Sequence, residues 1–399
     1  MGLASMSVRR AGQDRSQRRL FGVPPNGGNG SPRPNDVYRR EEVAIHFQPA
    51  EGLYQTWLSP TCIISDGPYG VSGFPGDEHR AETLVDWYRP HVRAWSSHAT
   101  PQTTLWFWAT ELGWATVHPL LAAEGWEYRC CNIWDKGLGH VAGNANTQTL
   151  RKFPVVTEVC AHYVRSARFP YGDQLLSMQD WLRCEWQRSG LPLRLANEAC
   201  GVLNAATRKY LTADHLWYYP PVDAFVRLAA YANRHGNPEG RPYFSLDGQC
   251  PIHASQWERM RAKFHCEVGI TNVWREPQVG GQERIQGMRN AMRYKFRSLH
   301  GSQKPLRFIE RAVCASTDEG DVVWEPFGGL CPGAVVCYHF RRKYFGAEVV
   351  PEFFAAAVER LANCEQRRGT RNSAASTGCS SLLRVLASIG QPGLPSGVK

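Results

Sequence analysis

Three groups of residues, far apart in the chain, have the types and spacing to do chemistry. In the first, the apolar run Cys62-Ile63-Ile64-Ser65 stops abruptly at Asp66-Gly67-Pro68-Tyr69. An apolar run that ends in turn residues reads as a buried strand delivering a loop, and open α/β sheets present their chemistry at the carboxyl ends of strands. A carboxylate, a backbone carbonyl and an aromatic ring in one loop suit the alkylation of a flat, conjugated amine. The lone pair of such a nitrogen is delocalised into its ring, so two acceptors for its N–H bonds are needed to draw it toward tetrahedral geometry while an aromatic face stacks on the plane. Pro68 biases Gly67 toward extended backbone, which orients its carbonyl. In the second group, Glu325-Pro326-Phe327-Gly328-Gly329 follows a strand-like Val322 to Trp324, where small residues let a ligand approach the backbone closely. Glu348 ends the next strand-like run 23 positions later, the spacing at which an acid accepts hydrogen bonds from ribose hydroxyls. The third group is Arg284, Arg289, Arg293, Lys295 and Arg297, a basic run with no acid inside it and suited to phosphate contacts.

The elements that must position these groups are legible as alternation. Leu84, Trp87, Tyr88, His91, Val92 and Trp95 recur at helical spacing. Strands are expected at Thr103 to Trp108, Trp126 to Trp134 and Val155 to Val164, with a helix over Ala115 to Glu124. Residues 168–298 differ in texture, with helical patterns at Leu175 to Arg188, Asn197 to Tyr210 and Pro221 to Arg234 separated by Gly, Pro and Asn turns. From Leu299 alternation returns: a helix Pro305 to Ser316, strands Val322 to Trp324 and Tyr344 to Glu348, and a helix from Pro351 to Leu361. The expected organisation is a disordered basic arm over 1–42, one half of a doubly wound α/β domain over 43–167, and an inserted, mainly helical region over 168–298. The second half of the domain then covers 299–364 and a disordered tail 365–399. Arg9, Arg10, Arg15, Arg18 and Arg19 make the arm basic.

The formal net charge of +10 over 399 residues points to a polyanionic partner. Residues 166–300 hold much of it, with 18 Lys and Arg against 12 Asp and Glu. Thirteen cysteines without a Cys-x-x-Cys pair support neither a zinc site nor a disulfide framework, so no metal is expected. The longest apolar stretch is broken by Glu111, His118 and Glu124, and a cytoplasmic protein without a membrane span is the expectation.

Asp66-Gly67-Pro68-Tyr69 resembles the Asp-Pro-Pro-Tyr motif of S-adenosylmethionine-dependent DNA amino-methyltransferases, with Gly67 in place of the first proline. His300-Gly301-Ser302-Gln303-Lys304-Pro305 resembles that family's His-Pro-Thr-Gln-Lys-Pro element, and Glu325-Pro326-Phe327 its Asp-Pro-Phe cofactor motif, with Cys331 where a second glycine is usual. Catalytic motif before cofactor motif is the circularly permuted order of the beta class. The resemblance implies a Rossmann-like methyltransferase sheet in which residues 168–298 recognise the target. Asp66, Gly67, Pro68 and Tyr69 would be catalytic. Lys304, Glu325, Phe327, Gly328, Gly329 and Glu348 would hold S-adenosylmethionine, and the basic run would hold double-stranded DNA. It implies transfer to adenine N6 or cytosine N4 of a flipped base, adenine being favoured because Asp at position 66 goes most often with adenine and Ser with cytosine. Ser65 keeps the cytosine alternative open. RNA or a protein glutamine as substrate, or an inert DNA-binding relative, are further alternatives, and a restriction endonuclease is an implied partner.

Overall fold

Thirteen strands and nine helices organise the residues described by this computed structural model, namely 32–71, 80–141, 149–238, 240–289 and 296–364. In chain order the first elements are β1 (Val37–Arg40), β2 (Val43–Phe47), β3 (Cys62–Ser65), α1 (Leu84–His98), β4 (Thr104–Ala109), α2 (Glu111–Ala123), β5 (Trp126–Asp135) and β6 (Thr157–Arg165). A hairpin of β7 (Phe169–Tyr171) and β8 (Gln174–Leu176) leads into α3 (Met178–Arg188), α4 (Leu195–Cys200), α5 (Val222–His235) and α6 (Ala254–Glu258). Then come β9 (Val273–Arg275), a hairpin of β10 (Gln286–Arg289) and β11 (Phe296–Ser298), α7 (Leu306–Ser316), β12 (Val322–Glu325), α8 (Pro332–Phe340), β13 (Lys343–Glu348) and α9 (Pro351–Ala362).

Nine strands form one sheet in the order β1-β2-β13-β12-β3-β4-β6-β5-β9. From β2 to β4 neighbours are parallel, while β6 runs antiparallel between β4 and β5. Every residue of β4 is buried, as a central strand covered on both faces must be. On one face α1 and α2 bury Leu84, Tyr88, Val92, Trp95, Val117 and Leu121; on the other α7, α8 and α9 bury Phe308, Val313, Val336 and Phe354. This is a doubly wound, Rossmann-like sheet. Its topology reverses between β3 and β12: β3 continues through α1 to β4 on one side, and β12 through α8 to β13 on the other. Such a reversal opens a crevice at the carboxyl ends of the two strands, where Asp66 and the Glu325 turn lie.

Several expected bounds shift. Arg40 and its neighbours back to Val37 pair antiparallel with β2, so the sheet claims the end of the region expected to be a disordered arm over 1–42. Residues 1–31 and the expected tail 365–399 lie outside the described residues. The expected helix Asn197 to Tyr210 is instead α4, ended by left-handed Gly201, and a separate π turn over Ala206–Tyr210. Within 168–298, α3 to α6 share their own core around Trp181, Trp186, Phe225 and Trp257. Val273–Arg275, however, pairs parallel with β5 as the edge of the main sheet, so this stretch belongs to the sheet and not to the helical block.

The block is spliced into the sheet at the edge away from the crevice. Because β6 is antiparallel, it ends beside the starts of β4 and β5, with Arg165 opposite Trp126. The returning chain is tied to the same edge, His265 N–H donating to the Ala315 carbonyl and Lys263 pairing with Asp321 just before β12.

Candidate active site

Asp66 directly follows β3, and its carboxylate is held from two sides. Oδ1 accepts the Tyr69 hydroxyl at 2.7 Å and lies 2.9 Å from Lys304 Nζ. Among the described residues Oδ2 and the Gly67 carbonyl accept no hydrogen bond. Two of the loop's other carbonyls are in use: the Tyr88 hydroxyl donates to Pro68 at 3.1 Å, and the Thr110 hydroxyl to Tyr69 at 3.4 Å. Thr110 also caps α2, accepting from Gly113 N–H. The loop is thus braced by α1 and by the start of α2, while the two acceptors that an amine would need are left open.

Gly67 is required by close approach. A Cβ there would fall 2.6 Å from the Tyr88 hydroxyl and 2.8 Å from the Phe327 ring. Phe327 reaches this position from the β12 turn and packs among Trp87, His91 and Trp95. The departure from the Asp-Pro-Pro-Tyr pattern therefore has a steric partner in this chain.

Lys304 precedes α7, whose start lies at the carboxyl edge of the sheet. The resemblance assigns it to the cofactor; here its ammonium faces the Asp66 carboxylate. It also lies 3.3 Å from Glu158 Oε2 and donates to the Ser302 carbonyl at 3.1 Å. Glu158 Oε1 in turn meets Lys136 Nζ at 2.5 Å. Burial pushes the Glu158 carboxyl up, but Lys304 and Lys136 outweigh it and hold the group below the usual glutamate range. Burial likewise pulls Lys304 down, and Asp66 and Glu158 outweigh it and raise the ammonium above the usual lysine range. Tyr69 is pushed well up, chiefly by burial and then by Asp66, so its hydroxyl remains a donor.

Glu158 was not singled out from the sequence. An acid at the start of a strand carries no signal by itself; only because β6 is antiparallel does its start reach the edge where the other strands end. Lys136, in the Trp134-Asp135-Lys136-Gly137 turn, follows β5 at the same edge.

Across the crevice, Gly328 N–H donates to the Ala347 carbonyl at 2.7 Å, closing the turn onto β13. Gly329 has φ +54°, and the atom nearest to where its Cβ would stand, His300 Nε2, is 3.4 Å away. Cys331, in the place of the usual second glycine, also has positive φ, +44°. This costs roughly 1–2 kcal/mol for a residue with a Cβ. Its buried Sγ fills the space that a Cβ on Gly328 would need. Glu325 does not face the crevice: fully buried, it accepts the Tyr344 hydroxyl at 2.6 Å and Gly333 N–H at 3.0 Å, and so ties the turn to α8 and β13. Burial raises its pKa to about 8. Glu348, at the end of β13, accepts Val349 and Val350 N–H at 2.8 and 2.7 Å; burial raises it to about 7 against these backbone bonds.

Of the basic run, Arg284 lines a narrow crevice with Trp134, Glu158, His300 and Gln303, beside the ion network. Arg289 and Arg297 are on the β10–β11 hairpin, and Arg293 and Lys295 lie outside the described residues. A cavity of ≈ 390 Å³ lined by Glu42, Glu319, Arg341 and Arg342 sits at the amino end of the sheet, remote from these groups. Among the described residues no helix is long and apolar enough to cross a membrane.

The chain is similar to known DNA methyltransferases. The type II methyltransferase M.HpaI of Haemophilus parainfluenzae is 40% identical over 67 residues, 17% of this chain and 21% of that protein. The type II methyltransferase M2.MboI of Moraxella bovis is 30% identical over 108 residues, 27% of this chain and 35% of that one. These matches thus span about a third or less of the relatives' own lengths. The solved M1.HpyAVI–SAM complex superposes with a TM-score of 0.42 at 13% identity, over 79% of this chain and 98% of that one. Residues 61–359 match the model of the N6/N4 methyltransferase family, described as DNA methylase. That match takes in both sides of the crevice and most of the chain, and the chain belongs to this family of DNA methylases.

Proposed function

We propose that this chain transfers a methyl group from S-adenosylmethionine to the N6 amino group of an adenine flipped out of duplex DNA. The observation that carries the proposal is the state of the catalytic loop: Asp66 Oδ2 and the Gly67 carbonyl are open acceptors, while the rest of the loop is held by Tyr88, Thr110 and Lys304. Those two acceptors would take the two N–H bonds of an exocyclic amine and aim its lone pair, and the ring of Tyr69 would stack on the base. Extrusion of the base costs a few kcal/mol, which contacts of Arg284, Arg289, Arg293, Lys295 and Arg297 with phosphates would offset.

The opposite side of the crevice fits the cofactor. The Gly328-Gly329 turn leaves its backbone approachable, Phe327 presents a half-buried ring, and Glu348 places a carboxylate at the strand end where ribose hydroxyls would donate. When bound, S-adenosylmethionine supplies a sulfonium methyl that is already a good electrophile, so the protein's contribution is positioning.

Adenine is favoured over cytosine because the Ser65 side chain is fully buried in β3 and so is withdrawn from the loop, which leaves Asp66 as the acceptor. Incubating the protein with S-adenosylmethionine and DNA, digesting to nucleosides and separating them by mass should yield N6-methyladenine. N4-methylcytosine alone would overturn the choice of base and leave the class standing, and no methylated nucleoside would overturn the activity.

A further inference from the structure

Two buried ionised groups at the site, Lys136 and Glu158, have no task in the reaction as described above. They stand at 9% and 7% exposure, and Lys304 between them and Asp66 at 2%. Burying charge is costly unless every member is paired, and here Asp66, Lys304, Glu158 and Lys136 alternate in sign and cancel. The ammonium of Lys304 has three N–H donors and three acceptors: Asp66 Oδ1 at 2.9 Å, Glu158 Oε2 at 3.3 Å and the Ser302 carbonyl at 3.1 Å. With Glu158 and the Ser302 carbonyl also beside it, the ammonium stands nearest to Oδ1 of Asp66.

We propose that Glu158, itself held by Lys136, is a positioning residue: it pins Lys304 on Oδ1 of Asp66 and so keeps Oδ2 free for the amine of the target base. The inference rests on the methyl transfer proposed above and adds to it two residues that do not touch the base and act through Lys304, Glu158 also lying 3.3 Å from the Tyr69 hydroxyl. Without Glu158 the ammonium has only Asp66 as an anionic partner and can bridge both of its oxygens, which removes the lone pair the amine needs.

The titratable groups facing Lys304 are Asp66 and Tyr69 on the loop after β3, Glu158 and Cys160 on β6, and Lys136 and His300. Burial holds Tyr69 and Cys160 well above their usual ranges and His300 below its own, so none of these three changes charge in mildly alkaline solution. With Glu158 neutralised, burial is opposed by one carboxylate instead of two and Lys304 loses its proton more easily. Loss of that proton would release Oδ2 from a bridging ammonium, so a recovery of rate at alkaline pH is the signature of a displaced Lys304.

The test compares wild type, Glu158→Asp, Glu158→Gln and the double variant Glu158→Gln with Lys136→Met. The double variant removes one charge of each sign and leaves a neutral Asp66–Lys304 pair, which protects the fold. Single-turnover methyl transfer to DNA is followed from about pH 6 to about pH 10, with melting temperature and S-adenosylmethionine affinity measured alongside. The double variant should melt close to wild type and bind the cofactor with little change, yet transfer roughly 100-fold more slowly near neutral pH, with a recovery toward alkaline pH that wild type lacks. Glu158→Asp, which keeps the charge on a shorter stem, should be slowed without the alkaline recovery. A double variant with the wild-type rate, a slowed one with an unaltered pH profile, or Glu158→Asp at full rate would each overturn the inference while the methyl transfer stands. A wild-type protein that transfers no methyl group would overturn the underlying reading, and this inference with it.

Discussion

At position 67 the family's usual proline would bring its Cβ within 2.8 Å of both the Tyr88 hydroxyl and the Phe327 ring. Gly67→Pro should therefore not improve the loop by stiffening it. Overpacking of this kind costs about 1–3 kcal/mol, and displaced Phe327 should also weaken cofactor binding. Differential scanning calorimetry and titration calorimetry check this, and an unchanged melting temperature with unchanged affinity would refute the steric account. Asp66→Asn keeps the shape of the side chain and the Tyr69 contact but weakens the acceptor. The single-turnover rate should fall on the order of 100-fold or more with cofactor affinity retained; a variant that keeps a tenth of the wild-type rate would remove Asp66 from the role. The residues of this loop were legible because they are contiguous and each has a chemical reason to be there. The reason for Gly67 was not, because Tyr88 and Phe327 come from a helix and a turn that only the folded sheet brings to it. Glu158 was illegible for a related cause, since strand direction decides which end of β6 faces the crevice.

The elements were easier to read than their ends. Strands buried on both faces, such as β4, and helices with a clear apolar stripe, such as α7, matched their expected spans closely, because pattern and burial agree over many residues. The short β9 and the split after α4 carried no period long enough to see. The turns after β12 and β13 also set a pH dependence. Glu325 and Glu348 are raised from 4.5 to about 8 and about 7, so above pH 4.5 the folded state holds protons that the unfolded chain has lost, and their contribution to stability declines as pH rises. His46, His91 and His162 are lowered from 6.5 to about 4 and act oppositely, adding stability as pH rises to 6.5. The two sets offset each other below pH 6.5, and above it only the glutamates remain. The cofactor-free protein should thus lose on the order of 1–2 kcal/mol between about pH 6.5 and about pH 8. Glu325→Gln should flatten that decline in calorimetric melts; a decline of the same slope in the variant would place its origin elsewhere.

For the molecule as a whole, the basic charge is expected to act at the carboxyl edge. Ile285 N–H donates to the Gln303 side chain next to Lys304, so the β10–β11 hairpin with Arg289 and Arg297 rises beside the crevice. Neutralising Arg289, Arg293 and Arg297 together should weaken DNA binding and lower its salt slope by roughly 0.9 for each phosphate no longer neutralised. A slope equal to that of wild type in filter-binding titrations would show that these side chains do not touch the backbone of DNA. The helical block behaves differently, because its two attachments, at Arg165 and at Lys263, are both on the far edge of the sheet. A nine-residue strand such as β6 rises roughly 30 Å, so that length of protein separates the root of the block from the reacting atoms. A block rooted there would behave as an exchangeable cassette: its sequence and size could drift, or be replaced by another domain, with little strain passed to the loop after β3. A lineage built on this sheet could change what the enzyme docks with while its chemistry stays fixed.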